Sequence, residues 1–170
     1  MNIEGELIKS AVVRSIIRHF TTIVDGEVKK PIVYKEKILQ HFERPSFFVR
    51  EVETDQKYTG FDGFRRRYHM AITYHPQDND DLMYERSSEA SNQLMACLDR
   101  IDVPIWLGQY DNDGDPIMVD RPVDAWNMST KWTEHDLQCF VTYQIRMKRI
   151  ELDRPTMDKI LTQSRVKEEY

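Results

Sequence analysis

Asp111, Asp113 and Asp115 are the residues that most invite a metal ion: three carboxylates at alternate positions in Asp111-Asn112-Asp113-Gly114-Asp115-Pro116. A calcium loop of the EF-hand kind needs glycine at its sixth position and a glutamate at its twelfth. Counted from Asp111, those places hold Pro116 and Pro122, so the run reads as a solvated hairpin turn. The histidines are His19, His41, His69, His75 and His135. His69 and His75 share one face of a strand, but six residues of strand span about 20 Å, too far for one ion. Neither a His-Glu-x-x-His motif nor a paired Cys-x-x-Cys occurs. Cys97 and Cys139 lie in different segments and read as buried thiols rather than nucleophiles or a disulfide framework. The chain also lacks a Gly-x-Ser-x-Gly elbow and a phosphate-binding glycine loop. The expectation is a protein with no catalytic residue, no cofactor and no dedicated metal.

Binding chemistry is better represented. Arg65-Arg66-Arg67 could meet phosphate or a partner's carboxylates. The same triplet could be a solvated strand start that discourages edge pairing. Lys and Arg total 24 against 29 Asp and Glu, a net charge of −5, which argues against a protein built to grip nucleic acid. A protein–protein salt bridge therefore ranks ahead of a DNA contact. Trp106, Trp126 and Trp132 fit either core packing or interface anchors, and the sequence supports both readings.

The elements that must position these residues follow from periodicity. Residues 3 to 24 read as a helix with a broad stripe at helical spacing (Ile3, Leu7, Ile8, Ala11, Val12, Ser15, Phe20, Ile23), closed by Asp25-Gly26. Pro31 to Ile38 is a short strand candidate and Ser46 to Glu53 a firmer one opened by Pro45. Residues 54 to 63 read as a loop. From Arg65 to Pro76 apolar Tyr68, Met70, Ile72 and Tyr74 alternate with Arg67, His69, Ala71, Thr73 and His75, the period of a half-buried strand. Asp78-Asn79-Asp80-Asp81 opens a helix that runs to about Asp99, one face holding Met83, Ala90, Leu94, Cys97 and Ile101 at three- and four-residue spacing. Trp106–Tyr110 and Ile117–Val123 flank the acidic turn as a hairpin, and Trp126–Thr133 is ambiguous.

The last strong pattern is Leu137 to Ile150, with Cys139, Val141, Tyr143, Ile145 and Met147 on one face. Fourteen residues exceed an ordinary strand, so its far end is expected to leave the sheet and meet another subunit. Arg154-Pro155 breaks the chain before a short amphipathic pattern of Met157, Ile160 and Leu161. A length of 170 residues with 40% hydrophobic content supports one domain with a sizeable core. The reading is a single α+β domain over 1–152, mainly antiparallel sheet packed by two helices, and a C-terminal extension with a short helix over 153–170. The acidic N-terminus lacks the basic start of a signal peptide, and no apolar run approaches membrane-spanning length. A soluble intracellular chain is expected.

This order of elements, with Pro45, Phe47, Phe48 and Val49, then Arg67, Tyr68, Ile72, Tyr74 and Pro76, then Leu94 and Leu98, resembles the tail terminator proteins of tailed phages. The resemblance covers about residues 5 to 150. It implies a homo-oligomeric ring, a homohexamer, that ends tail-tube growth and joins the tail to the head connector. Its implied partners are further copies of itself, the tail tube protein, the sheath where there is one, and a neck protein, with DNA passing through the lumen without specific binding and no membrane involved. Its implied place is the virion tail at the neck, after assembly in host cytoplasm. The residues expected to carry the protein contacts are Arg65, Arg66, Arg67, Arg146 and Lys148, and Met157, Ile160 and Leu161 of the extension. The rival readings are another neck or tail-completion connector and a cellular α+β ligand-binding domain.

Overall fold

Tyr68, Met70 and Ile72 put the centre of the fold where alternation puts it. The three are 0–1% exposed, in the middle of a six-stranded sheet. The computed structural model describes residues 3–24, 26–35, 41–60, 63–77, 83–133 and 135–148. In chain order the elements are α1 (Ile3–His19), β1 (Thr22–Val24), β2 (Glu27–Lys29), β3 (Ile32–Lys35), β4 (Ser46–Tyr58), β5 (Gly63–His75), α2 (Met83–Leu98), β6 (Arg100–Tyr110), β7 (Pro116–Trp132) and β8 (Leu137–Lys148).

The sheet order is β3-β4-β5-β8-β7-β6. Every pairing is antiparallel except β3 with β4. Both helices cover one face, and the fold is the expected α+β arrangement. Ile8, Ala11, Val12 and Ile16 of α1 and Leu94, Cys97 and Leu98 of α2 join Phe47, Val49, Tyr68, Met70, Ile72, Cys139, Val141 and Tyr143 in one core. Each fully buried large aliphatic or aromatic side chain there contributes about 1.5–3 kcal/mol. Phe20, just beyond α1, meets Phe47 edge-on at 4.8 Å, and Phe47 stacks on Tyr74 at 4.6 Å. Two hydrogen bonds tie the end of α2 into the core. The Tyr143 hydroxyl donates to the Leu98 carbonyl at 2.8 Å, and the Ser15 hydroxyl donates to the Cys97 carbonyl at 2.5 Å. The last carbonyls of a helix have no partner within it, so these side chains satisfy what the helix leaves open.

β7 serves two partners in turn. Its first half, Pro116 to Asp124, pairs with β6, and its second half, Ala125 to Trp132, pairs with β8. A register shift between Ala125 and Asn127 marks the changeover. The β6–β7 hairpin thereby leaves the sheet. Its base is anchored by buried Ile101, Val103 and Val123, while Tyr110, Met118 and Val119 further out are 43–63% exposed. Pro104 and Pro122 sit in this hairpin, where each strand has an open side that needs no donor.

Several expectations are corrected. The first helix stops at His19, and Ile23 belongs to β1, because Thr22–Val24 pairs with Glu27–Lys29 in a small hairpin. Gly26 does adopt the left-handed conformation (φ 80°), but in the turn of that hairpin rather than as a helix stop. Residues 54–58 are strand, not loop: β4 continues to Tyr58, paired with Phe64 on β5. These residues are polar on both faces, which hides a strand whose stability comes from its ladder. Trp126–Trp132 is strand, shared with β8. The last strand does not leave the sheet, since Leu137–Lys148 is paired with β5 from Tyr74 to Gly63. Residues 36–38 of the expected short strand, the acidic start Asp78–Asp81 of the second helix, and the extension 153–170 lie outside the described residues.

Candidate interaction surface

A strand cannot present three consecutive side chains on one face. The Arg65-Arg66-Arg67 triplet is accordingly split. Arg66 lies on the helix-covered side of the sheet, beyond the helices, where its guanidinium donates to Gln56 Oε1 at 2.7 and 3.1 Å and sits 5.2 Å over the Phe64 ring. Arg65 and Arg67 lie on the opposite, open face. Arg67 is engaged there: it donates to Gln144 Oε1 at 3.2 Å and lies 4.2 Å from the Trp126 ring centroid. Trp126, at the register shift of β7 and 54% exposed, is thus a surface side chain held by a cation–π contact. Trp132 joins the margin of the core instead. Trp106 lies among side chains outside the description.

Arg65 is different. In the ladder it stands opposite Lys57 on β4 and opposite Arg146 on β8. Three cations therefore form one rung across three strands on the open face. Directly opposed side chains have Cβ atoms about 4.5–5.5 Å apart, and like charges at that spacing repel. Among the described residues no carboxylate pairs with any of the three. Arg65 Nε is buried without a hydrogen-bond partner. The backbone of Lys148 closes β8 opposite Gly63. The rung sits at a projecting end of the sheet. Among the described residues β3 accompanies β4 as far as Val49 and β7 leaves β8 at Tyr143, so there β4, β5 and β8 continue beyond them as a three-stranded tongue with two open edges. Arg146 and Lys148 were expected to join the arginine triplet as contact residues. The register brings Arg146 to Arg65, while the triplet itself does not form one cluster. Met157, Ile160 and Leu161 lie outside the described residues.

Next to the rung the open face is internally satisfied. His69 bridges Asp55 (Nε2 to Oδ2, 2.8 Å) and Thr142 (Nδ1 to Oγ1, 2.9 Å). Farther along, His75 Nδ1 meets Asp136 Oδ1 at 2.5 Å, and Phe42 and Phe48 pack against its ring at 4.7 and 5.1 Å. His75 is 7% exposed, so it is a buried structural histidine and not the surface or sheet-edge residue that a lone histidine suggests. Register places Ser46 directly opposite it. That Asp136–His75–Ser46 order resembles part of a hydrolase triad, but Ser46 is 0% exposed and shut away from any substrate.

The thiols are inert on the same ground. Burial pushes Cys97 up from 9.0 to about 11 and Cys139 up to about 12, the opposite of what a nucleophile needs. Burial also pushes the Tyr143 phenol well above its usual range. One feature invisible in the sequence is a small cleft of about 30 Å³ between the end of α1 and the start of β6, lined in part by Arg14, Arg18, His19, Arg100 and Asp102. Its cations are partly spoken for: Arg14 donates to the Asp102 carbonyl at 3.0 Å, and Arg100 pairs with Asp124 at 2.6 Å. The Arg100 hydrogen bond lowers the Asp124 carboxyl and raises Arg100 in return. Among the described residues no group of three or more His, Cys, Asp or Glu is placed to hold a metal ion. No described helix is long and apolar enough to cross a membrane.

The acidic turn is a built loop at the tip of the β6–β7 hairpin. The Asp111 N–H donates to the Asp115 carbonyl at 2.9 Å, and Asp111 Oδ1 accepts the N–H groups of Asp113 and Asp115, each at 2.9 Å. Gly114 takes φ 87°, which a side chain would resist. With Asp111 folded inward, the exposed Asp113 and Asp115 carry the tip's charge outward.

Residues 8–155 match the family of phage tail terminator proteins. The chain belongs to that family. The match spans the helices, the sheet and the hairpin, and so takes in the rung and the acidic tip. No curated relative matches the chain. The family is a structural component of phage tails, which accounts for a surface organised around charge and exposed aromatics, with its titratable core groups locked away.

Proposed function

We propose that the protein closes into a ring, a homohexamer, that sits on the end of the tail tube, stops its growth and presents the surface to which the head connector binds. Membership of the terminator family over residues 8–155 carries this reading. Two features of the fold support it. A ring needs two different patches that meet head to tail, and this subunit projects two unlike elements, the cationic tongue and the acidic hairpin. An overall charge of −5 suits a lumen that lets DNA pass without gripping it. The partners are further copies of the chain, the tail tube protein, the sheath where there is one, and a neck protein. The place of action is the neck of the virion, reached from the host cytoplasm where tails assemble. The chain performs no catalysis in this role. The extension from residue 153, through Met157, Ile160 and Leu161, docks on a neighbouring subunit or tail protein.

The test is a particle made without this gene product. Tails of abnormal length that fail to join heads are the expected outcome. Tails of normal length joined to heads refute the reading. Tails of normal length that fail to join heads reassign the protein to the connector side of the junction.

A further inference from the structure

We infer that the subunit-to-subunit contact of the ring seats the acidic β6–β7 tip of one copy on the Lys57–Arg65–Arg146 rung of the next. The inference rests on the ring reading and names its contact. It starts from a like-charge row that the isolated subunit does not neutralise. Lys57, Arg65 and Arg146 stand in register across β4, β5 and β8 with no carboxylate partner among the described residues. Nothing in the fold of the monomer requires three cations there, and their mutual repulsion works against the ladder. Arg65 adds a guanidinium nitrogen removed from water and unpaired, and arginine is the cation that favours bidentate pairing with a carboxylate.

The complementary element is on the same chain. The hairpin tip carries Asp111, Asp113 and Asp115 in a loop fixed by its own hydrogen bonds, so it arrives ordered and loses little entropy on docking. On the tip, Tyr110 (63% exposed) stands next to Asp111. Tyrosine and arginine are the residues enriched where protein surfaces meet. Rung and tip lie on different projections of one subunit, so the contact is heterologous, of the kind that closes rings. A second copy is thus the occupant that the charge pattern selects.

The experiment reverses each surface. Lys57→Glu with Arg146→Glu alters the rung at two exposed positions and leaves the half-buried Arg65 in place. Asp113→Lys with Asp115→Lys alters the tip. Thermal melting confirms that each variant folds. Oligomeric mass is read by native mass spectrometry on the full chain alone and on the complex it forms with its tail tube. Each reversal alone should weaken subunit association by about tenfold or more, as truncated interface charges do. Combining both reversals in one chain should restore association. Mixing the two variants should also restore it, because an even-numbered ring can alternate them.

Three results overturn the inference in separable ways. If the wild type oligomerises and neither reversal matters, the contact lies elsewhere and the ring stands. If the rung reversal acts but the tip reversal does not, or neither combination rescues, the rung meets another anionic surface, such as a tube protein or DNA. If the wild type stays a monomer both alone and on the tube, the ring itself fails.

Discussion

Reversing one charge on the rung should make the isolated subunit more stable, not less. Arg146 stands directly across from Arg65, is exposed, and has no strand partner on its other side among the described residues, because β7 has already left β8. Arg146→Glu removes one like-charge opposition and creates one opposite-charge pair, each worth about 0.2–1 kcal/mol across a sheet. Solvent exposure pulls the sum toward the lower half of its range, so about 1 kcal/mol is expected at low ionic strength. For a domain of this size that raises the melting temperature by about 2–4 °C. Arg146→Gln should gain only the removal of repulsion, about half as much. Urea titration of wild type and both variants at low salt, repeated near 1 M salt, checks the argument. At the higher salt the Debye length of about 3 Å is shorter than the spacing across the ladder, so the gain should largely vanish. A glutamate variant no more stable than wild type at low salt refutes the reasoning. So does a gain that survives high salt, since it would not be electrostatic. The same variant should assemble less well, and a change that strengthens the fold while weakening the assembly marks a residue kept for its partner.

Further predictions concern the core. Tyr143→Phe removes the donor to the Leu98 carbonyl at the end of α2 and leaves that buried acceptor open. It should cost about 1–2 kcal/mol, read as a lower urea midpoint with an unchanged slope. The two thiols predict alkaline sensitivity. Their folded pKa values, about 11 and about 12, lie above the unfolded 9.0, so the unfolded state releases protons first as pH rises. Their contribution is complete below pH 9 and is lost as pH climbs through 11 to 12, by about 2 kcal/mol for each thiol near pH 11. Cys97→Ala with Cys139→Ala should flatten that decline between pH 9 and 11. An equally steep decline in the double variant would place its origin elsewhere.

The centre of the fold was readable because its strands obey one simple rule. The middle of β5 buries Tyr68, Met70 and Ile72 at alternate positions, β8 does the same with Leu137, Cys139, Val141 and Tyr143, and α2 faces them with Leu94 and Cys97 at helical spacing. The same rule should have shown that Arg65, Arg66 and Arg67 could not act as one cluster. What it could not show was the company Arg65 keeps. Lys57 and Arg146 lie 8 and 81 residues away along the chain, and only register makes them neighbours. The strand over 54–58 escaped because its residues are polar on both faces, so hydrophobic periodicity is silent and the backbone ladder alone defines it, and the ambiguous Trp126–Thr133 became strand only through its pairing with β8. The first helix was overextended because Ile23 continues its stripe by coincidence of spacing, although Thr22–Val24 finds a strand partner. Asp111 to Asp115 was legible as a turn from composition, while its position at the end of a projecting arm depended on β7 changing partners.

That change of partners also bears on how the chain must be made. The sheet order places β8, the last described strand to leave the ribosome, between β5 and β7. Until residues 137–148 emerge, the nascent chain holds two fragments, β3–β4–β5 and β6–β7, with no backbone ladder joining them. β5 meanwhile offers an unpaired edge lined by Tyr68, Met70 and Ile72, the kind of surface on which unfinished chains aggregate. Final closure is an insertion, one strand zipping both fragments together across about 60 to 85 residues of sequence separation, a slow and cooperative step for a domain this small. Synthesis halted before residue 137 would therefore yield no smaller version of the domain, only two sheets awaiting the strand that makes them one.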